Sequence, residues 1–176
     1  MHGNSNISFS LLDAGIINEL VLIDIYKPAL EQALVNAKNN NFNNVSYYHS
    51  NTISTIPNFE KFDLVVANPP HSPDDTGIRL NFENGKINEE DFLIHTRLVV
   101  DQDWKIHKDF FANITKYLNN GAELYISENH KHPQILNCAI QSGLTLVHIY
   151  DAEELNRSGG GPGSVILHFK YEEKIH

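Results

Sequence analysis

The chain has 176 residues, 41% of them hydrophobic, and its 22 acids against 13 bases give a formal charge of −9. This predicts one soluble globular domain over residues 1–176 with enough chain to bury a core, and excludes a disordered segment. The acidic balance argues against a surface built to neutralise phosphates. No apolar run approaches the roughly 20 residues of a membrane span, so no membrane partner is expected.

The one cysteine, Cys138, rules out an internal disulfide and fits a reducing compartment. The N-terminus has no basic-then-apolar leader pattern, so a cytoplasmic location is expected. Cys138 reads as a small packed residue rather than a nucleophile.

In chain order, Asn6 to Leu12 predicts a helix, with Ile7, Ser10, Leu11 and Ala14 near one face. Leu20-Val-Leu-Ile-Asp24 is a short apolar strand ending in an acid. Pro28 to Asn39 predicts a helix, with proline in its first turn and Leu30, Ala33, Leu34 and Ala37 at helical spacing. The asparagine run from Asn39 breaks it, and Val45 to His49 has strand character. Leu64 to Ala67 reads as a buried interior strand of a parallel sheet, cut off by Asn68-Pro-Pro.

From His71 to Gln102 no clean period emerges, apart from a helix within Glu89 to Val100. Trp104, Phe111, Ile114 and Leu118 repeat at helical intervals, with Asp101 or Asp103 as cap and Gly121 as stop. Glu123 to Ser127 predicts a strand, and Pro133 to Ser142 a helix closed by Gly143. Leu144 to Tyr150 and Ser164 to Phe169 predict a strand pair joined across the glycine run 159–163. Strands alternating with helices, then a terminal strand pair, give an α/β sandwich with a mostly parallel sheet.

Three polar features fall at strand ends, where open α/β sheets hold their ligands. Asp24 suits a ribose diol, or else caps the helix from Pro28. Ser50 and Asn51 follow the next strand, and Asn51 can pair with an adenine edge or serve as an ordinary turn residue. Asn68 ends the third strand, and the prolines after it restrict their preceding residues to extended conformations.

Taken together, these features resemble the class I S-adenosylmethionine-dependent methyltransferases of the Asn-Pro-Pro-aromatic branch, the "methyltransferase small domain" type. The residues that carry the resemblance are Val21 to Ala29 with the following helix to Asn36-Ala-Lys, Asp63 to His71, and the helix-Asn-Asn-Gly121-strand passage with its closing strand pair. The resemblance implies a Rossmann-like sandwich with an antiparallel C-terminal strand pair.

It further implies S-adenosylmethionine as cofactor and methyl transfer to an amide or exocyclic amine nitrogen. Asp24 would hold the ribose, Ile25 would line the adenine pocket and Asn51, beside Ser50, would meet the adenine amino group. Asn68 and the Pro69 carbonyl would bind the acceptor nitrogen, with Pro70 and His71 completing the motif.

Two features depart from the family's pattern. The opening strand and glycine-rich loop are missing, which leaves Gly3 as the candidate for the methionine end and makes the chain read as N-terminally incomplete. The missing strand would lie between the first and third strands seen here, and an exposed edge there would invite self-association. His71 replaces the usual tyrosine, phenylalanine or tryptophan, and offers a smaller ring to stack on a planar substrate.

Ten histidines invite a metal reading, but no zinc-type spacing accompanies them, so no metal is expected and surface or capping roles are. Asp74-Asp75 could bind a cation or form a solvated loop. Between His71 and Asp103, eight acids face three bases, five negative on balance. That makes a protein glutamine or small planar amine more plausible than the motif alone suggests, while the motif itself serves nucleic-acid base and glutamine nitrogens alike and does not choose between them. Alternatives are a non-catalytic nucleoside-binding or protein-interaction domain and, third, an NAD-dependent dehydrogenase using Asp24.

Overall fold

The structure, a computed structural model, describes residues 6–57, 60–128, 132–151 and 163–173. The chain divides into two compact units, Met1–Ile56 and Pro57–His176.

In the first unit, α1 (Asn6–Asp13) precedes β1 (Leu20–Asp24), α2 (Lys27–Asn39) and β2 (Val45–His49). β1 and β2 are parallel, in register from Leu20↔Val45 to Asp24↔His49. Pro28 opens α2, where its missing N–H costs nothing, and Leu30, Ala33 and Ala37 form the buried stripe. The helix stops because Asn41 adopts a left-handed conformation (φ 58°). The N–H groups of Asn41 and Phe42 then turn back to the carbonyls of Lys38 and Ala37. Phe42 also stacks on Phe9 of α1, with ring centroids 5.6 Å apart.

In the second unit, β3 (Phe62–Ala67) leads to α3 (Thr76–Glu83), α4 (Glu89–Val99) and α5 (Lys105–Ile114). Then come β4 (Leu118–Glu128), α6 (Pro133–Gln141), β5 (Leu144–Asp151) and β6 (Val165–Tyr171). The strand order is β3-β4-β6-β5, with β3 parallel to β4 and both other pairings antiparallel. Leu124, Ile126, Leu167 and Phe169 project from one face and are almost wholly buried, as are Phe111 and Ile114 of α5 and Ile135 and Ala139 of α6. Phe111 meets Phe169 edge to face at 6.2 Å. Burying each large side chain of this set contributes about 1.5–3 kcal/mol.

Three expectations need correction. The strand through Leu64–Ala67 is not interior among the described residues: β3 pairs with β4 alone, and Val66 is half exposed. β1 has β2 as its one described partner, in keeping with the gap expected beside it, and α1 forms where a helix was expected.

Gly121 does not stop the helix after Trp104; α5 ends at Ile114, a short 3-10 turn follows, and β4 begins at Leu118. Gly121 instead takes a positive φ (86°) where β4 bulges, between the pairs Phe62↔Leu118 and Leu64↔Glu123. α3 was not expected at all: it is eight residues long and buries no side chain, so it leaves no apolar period to read. It is held to α4 by Phe82 stacked on Phe92 (5.0 Å), with the Arg79 guanidinium over the same ring.

Most of the glycine run 159–163 lies outside the described residues. Trp104 is core, as expected, and Cys138 is a half-buried free thiol.

Candidate active site

In the first unit the carboxyl ends of β1 and β2 coincide, so Asp24 and Ser50 meet. The Ser50 N–H donates to the Asp24 carbonyl at 3.0 Å. Asp24 Oδ1 accepts the Tyr26 N–H at 2.7 Å, an Asx-type turn that leads the chain into α2. The cap reading of Asp24 does not hold, because α2 starts after Tyr26 with no side-chain cap: one Asp24 carboxylate oxygen shapes the turn before the helix, and the structure gives the other no partner among the described residues.

The Ile25 carbonyl faces His49 Nε2 at 2.9 Å. The Ser50 hydroxyl is committed internally, donating to the Thr52 carbonyl (2.5 Å) and meeting the Thr55 hydroxyl. Ser50 therefore shapes the turn, while the adjoining Asn51 stands exposed. Gly3 lies outside the described residues.

In the second unit the last β3–β4 pair is Ala67↔Ile126, so Asn68 begins its loop beside Ser127 and Glu128, where β4 ends. That is the carboxyl edge of a parallel strand pair. The loop is pinned further along. The Ser72 N–H donates to the Val99 carbonyl (3.0 Å), and the Ser72 carbonyl accepts the Asp101 N–H (2.7 Å).

Behind the loop sits a polar chain that the sequence did not announce. His107 is 2% exposed, and its Nδ1 lies 2.6 Å from Asp101 Oδ2 and its Nε2 2.7 Å from Glu128 Oε1. Burial alone pushes His107 toward its neutral form, but hydrogen bonds and charge from both carboxylates reverse this and raise its pKa to about 9. Burial likewise raises the two carboxyls. His107 outweighs it at both, joined at Asp101 by the N–H groups of Ile106 and His107 and at Glu128 by His71, so both end below their ordinary values.

Glu128 Oε2 continues the chain to His71 Nδ1 at 3.4 Å, and His71 Nε2 reaches Asn68 Oδ1 at 2.9 Å.

Asp101 also caps α5, accepting the N–H groups of Ile106 (2.7 Å) and His107 (3.0 Å). This settles the cap in favour of Asp101. It is reached through two left-handed residues, Asp103 (φ 55°) and Trp104 (φ 58°), each costing on the order of 1 kcal/mol or more. The Trp104 indole anchors the turn against His107 and His132, with centroids at 5.3 and 4.6 Å.

Surface or capping roles therefore do not hold for His107, nor for His168, which is buried and stacked on Tyr125 at 4.3 Å. A signal for His107 was present: it falls on the Trp104–Phe111 apolar stripe at helical spacing, where a histidine must find buried partners. Glu128, at the end of an apolar strand, carried the complementary one.

Of the Asp74-Asp75 pair, Asp74 Oδ1 accepts the Thr76 N–H at 2.9 Å and Asp75 pairs with Arg79. Among the described residues, no group of three or more His, Cys, Asp or Glu side chains could hold a metal ion, and no helix is long and apolar enough to cross a membrane.

Comparison with known proteins bears directly on this geometry. A family profile described as "Methyltransferase domain" matches residues 3–154, which runs across both units. The chain belongs to the methyltransferase domain family.

This methyltransferase domain is 35% identical over 54 residues to a release factor glutamine methyltransferase of Francisella tularensis. The match spans 31% of the chain and 19% of that protein. Among solved structures, TrmN from Thermus thermophilus superposes with a TM-score of 0.61 at 16% identity, covering 97% of this chain and 42% of that one. The N-methyltransferase NodS from Bradyrhizobium japonicum WM9, in complex with S-adenosyl-L-homocysteine, gives 0.53 at 14% identity, covering 89% and 68%. These likenesses establish the Rossmann-like methyltransferase fold, and the family match removes the dehydrogenase reading.

Proposed function

We propose that this domain transfers a methyl group from S-adenosylmethionine to a planar amide or exocyclic amine nitrogen, held by Asn68 and the Pro69 carbonyl. The observation that supports this reading is the local geometry at Asn68. An asparagine directly follows a parallel strand, its Oδ1 is engaged by His71, and its loop is tied back through Ser72. Such a nitrogen has a delocalised lone pair and is a poor nucleophile. Two acceptor oxygens drawing on its N–H groups favour a pyramidal nitrogen and fix its approach, which is positioning and electrostatics. Asn68 Oδ1 has a second lone pair for this after its contact with His71.

The strand ends of the first unit fit the nucleoside part of the cofactor. Asp24 keeps one carboxylate oxygen for a diol, and Asn51 stands exposed beside it. Bound cofactor supplies an electrophilic sulfonium methyl; the protein's part is to orient donor and acceptor. Asp24→Ala is expected to weaken S-adenosylhomocysteine binding about ten- to a hundredfold in calorimetry, the worth of hydrogen bonds to a charged group. An unchanged affinity removes Asp24 from the ribose role.

Between His71 and Asp103, eight acids stand against Arg79, Lys86 and Arg97, five negative on balance. That repels phosphates and favours a protein glutamine or small planar amine over a nucleobase. The partial likeness to a glutamine methyltransferase supports the same choice. The test supplies methyl-labelled cofactor with a glutamine-containing peptide, a single-stranded DNA and an RNA, and locates the label by mass spectrometry. Label on oxygen or sulfur rather than nitrogen would sink the proposal.

A further inference from the structure

We propose that Glu128 positions His71 and, through it, the Asn68 amide, so that residue 71 acts as a hydrogen-bond donor within the clamp. This rests on the methyl-acceptor reading of Asn68 given above.

Each ring nitrogen of His71 faces an oxygen: Nδ1 faces Glu128 Oε2 at 3.4 Å, and Nε2 faces Asn68 Oδ1 at 2.9 Å. Neither oxygen carries hydrogen, so both contacts are hydrogen bonds only when His71 supplies the hydrogen at each. The ring thus bridges a buried carboxylate and the clamp amide by its edge. It is also largely buried, its side chain 14% exposed. A phenyl ring at this position could do neither job.

The consequence for Asn68 is a choice between two orientations. An asparagine amide presents either its oxygen or its NH₂ in a given direction, with nearly the same shape. A donor at His71 Nε2 selects the orientation in which Oδ1 is turned toward it, and its second lone pair is available to an acceptor N–H. With a bare Nε2 the amide would flip and offer NH₂, which repels the N–H groups it is meant to hold.

Glu128 can hold His71 because Glu128 is itself fixed. Its side chain is fully buried, and its other oxygen is bound by His107, which Asp101 anchors from the far side at the start of α5. The groups facing His71 are thus Asn68 directly and Glu128 directly, with His107 and Asp101 behind. Five residues from four segments form one connected chain, and such a chain orients its last member only while every link is satisfied.

The test labels histidine ring nitrogens with nitrogen-15 and reads their hydrogens by two-dimensional NMR on the full chain, assigning His71 from His71→Phe. In the unsubstituted protein the expected result is a hydrogen on Nε2 and an Nδ1 signal that reports the neighbouring carboxylate. Glu128→Gln keeps the shape and removes the charge, and is expected to shift both His71 nitrogens. It also lowers kcat for a glutamine-containing peptide about tenfold, with KM within about twofold, as expected for a misoriented group rather than lost binding.

Where Glu128→Gln weakens folding through His107, His71→Phe tests the same link without touching the buried pair. It keeps a ring face and loses the donor, and kcat falls by a similar factor. Unmoved His71 signals in Glu128→Gln, a bare Nε2 in the unsubstituted protein, or wild-type turnover by His71→Phe would overturn the proposal. Shifted His71 signals with no methyl transfer to any nitrogen would sink the acceptor reading and leave the Glu128–His71 coupling intact.

Discussion

Replacing Asn68 with alanine is expected to lower methyl transfer by about two to three orders of magnitude while leaving S-adenosylhomocysteine affinity unchanged. The size follows from the loss of a preorganised group aimed at the reacting nitrogen, worth about 2.7–4 kcal/mol where such groups have been removed from other active sites. The split between catalysis and cofactor affinity follows from the chain's organisation. Asn68 follows β3, while the proposed ribose contact, Asp24, ends β1 in the other compact unit.

Asn68→Asp sharpens the result. It keeps an acceptor oxygen and is expected to lose less than alanine, so the pair separates loss of the acceptor from loss of bulk. The measurement is initial-rate transfer of labelled methyl to a glutamine-containing peptide, with calorimetry alongside. A rate undiminished in Asn68→Ala removes this residue from the mechanism.

The second large effect concerns stability. His107 has a folded pKa of about 9 against an ordinary 6.5, so the folded state holds the proton more tightly than the unfolded chain. A raised pKa of this kind contributes stability that is fully present below pH 6.5 and is lost as the pH rises through about 9. The contribution is about 3 kcal/mol, a large share of the total for a domain of this size.

Asp101 and Glu128, held below their ordinary values of 3.8 and 4.5, act at the other end. Their contribution is present above those values and fades as the pH falls through the lowered ones. Urea unfolding is therefore expected to show its highest midpoint between about pH 4.5 and 6.5, with an alkaline decline complete near pH 10.

His107→Ala leaves two carboxylates buried without their partner. It is expected to cost about 3–5 kcal/mol near neutral pH and to flatten the alkaline decline. An alkaline limb of the same depth in His107→Ala would show that another group produces it.

Much of this architecture was legible because its elements announce themselves locally. Leu20–Asp24 and Val45–His49 are bounded as the sequence suggests, since an apolar run ending in a polar residue fixes both ends of a strand. Pro28 and Pro133 mark helix starts for a backbone reason that holds in any context. The failures share a different cause. Gly121 reads as a helix stop from its position after an apolar stripe, but the chain has already turned at Thr115, and the glycine's freedom is used in a strand bulge.

β3 reads as interior because a run of Leu, Val, Val and Ala is what a doubly covered strand looks like. Pairing, however, is a property of neighbours, and no local pattern reports it. The site divides the same way. Asp24, Asn51 and Asn68 stand at strand ends that the pattern locates. The Asp101–His107–Glu128–His71 chain joins residues up to 57 positions apart, and ordinary residue types gave no reason to connect them. What betrayed His107 was its place on an apolar stripe, a conflict between residue and environment that only a buried partner resolves.

Asp101 takes part in three hydrogen-bonded systems at once: it donates to the Ser72 carbonyl, caps α5 and anchors His107. The loop after β3 is therefore no independently fraying segment. To open at Ser72, the chain must give up a bond to the residue that also starts α5, and freeing that residue exposes a buried charge pair. The loop and the helix are therefore expected to open as one cooperative unit, with the Ser72 and His107 amides exchanging with solvent at similar rates in a hydrogen-exchange measurement. A surface loop in this position would breathe on its own; this one inherits the stability of the core behind it.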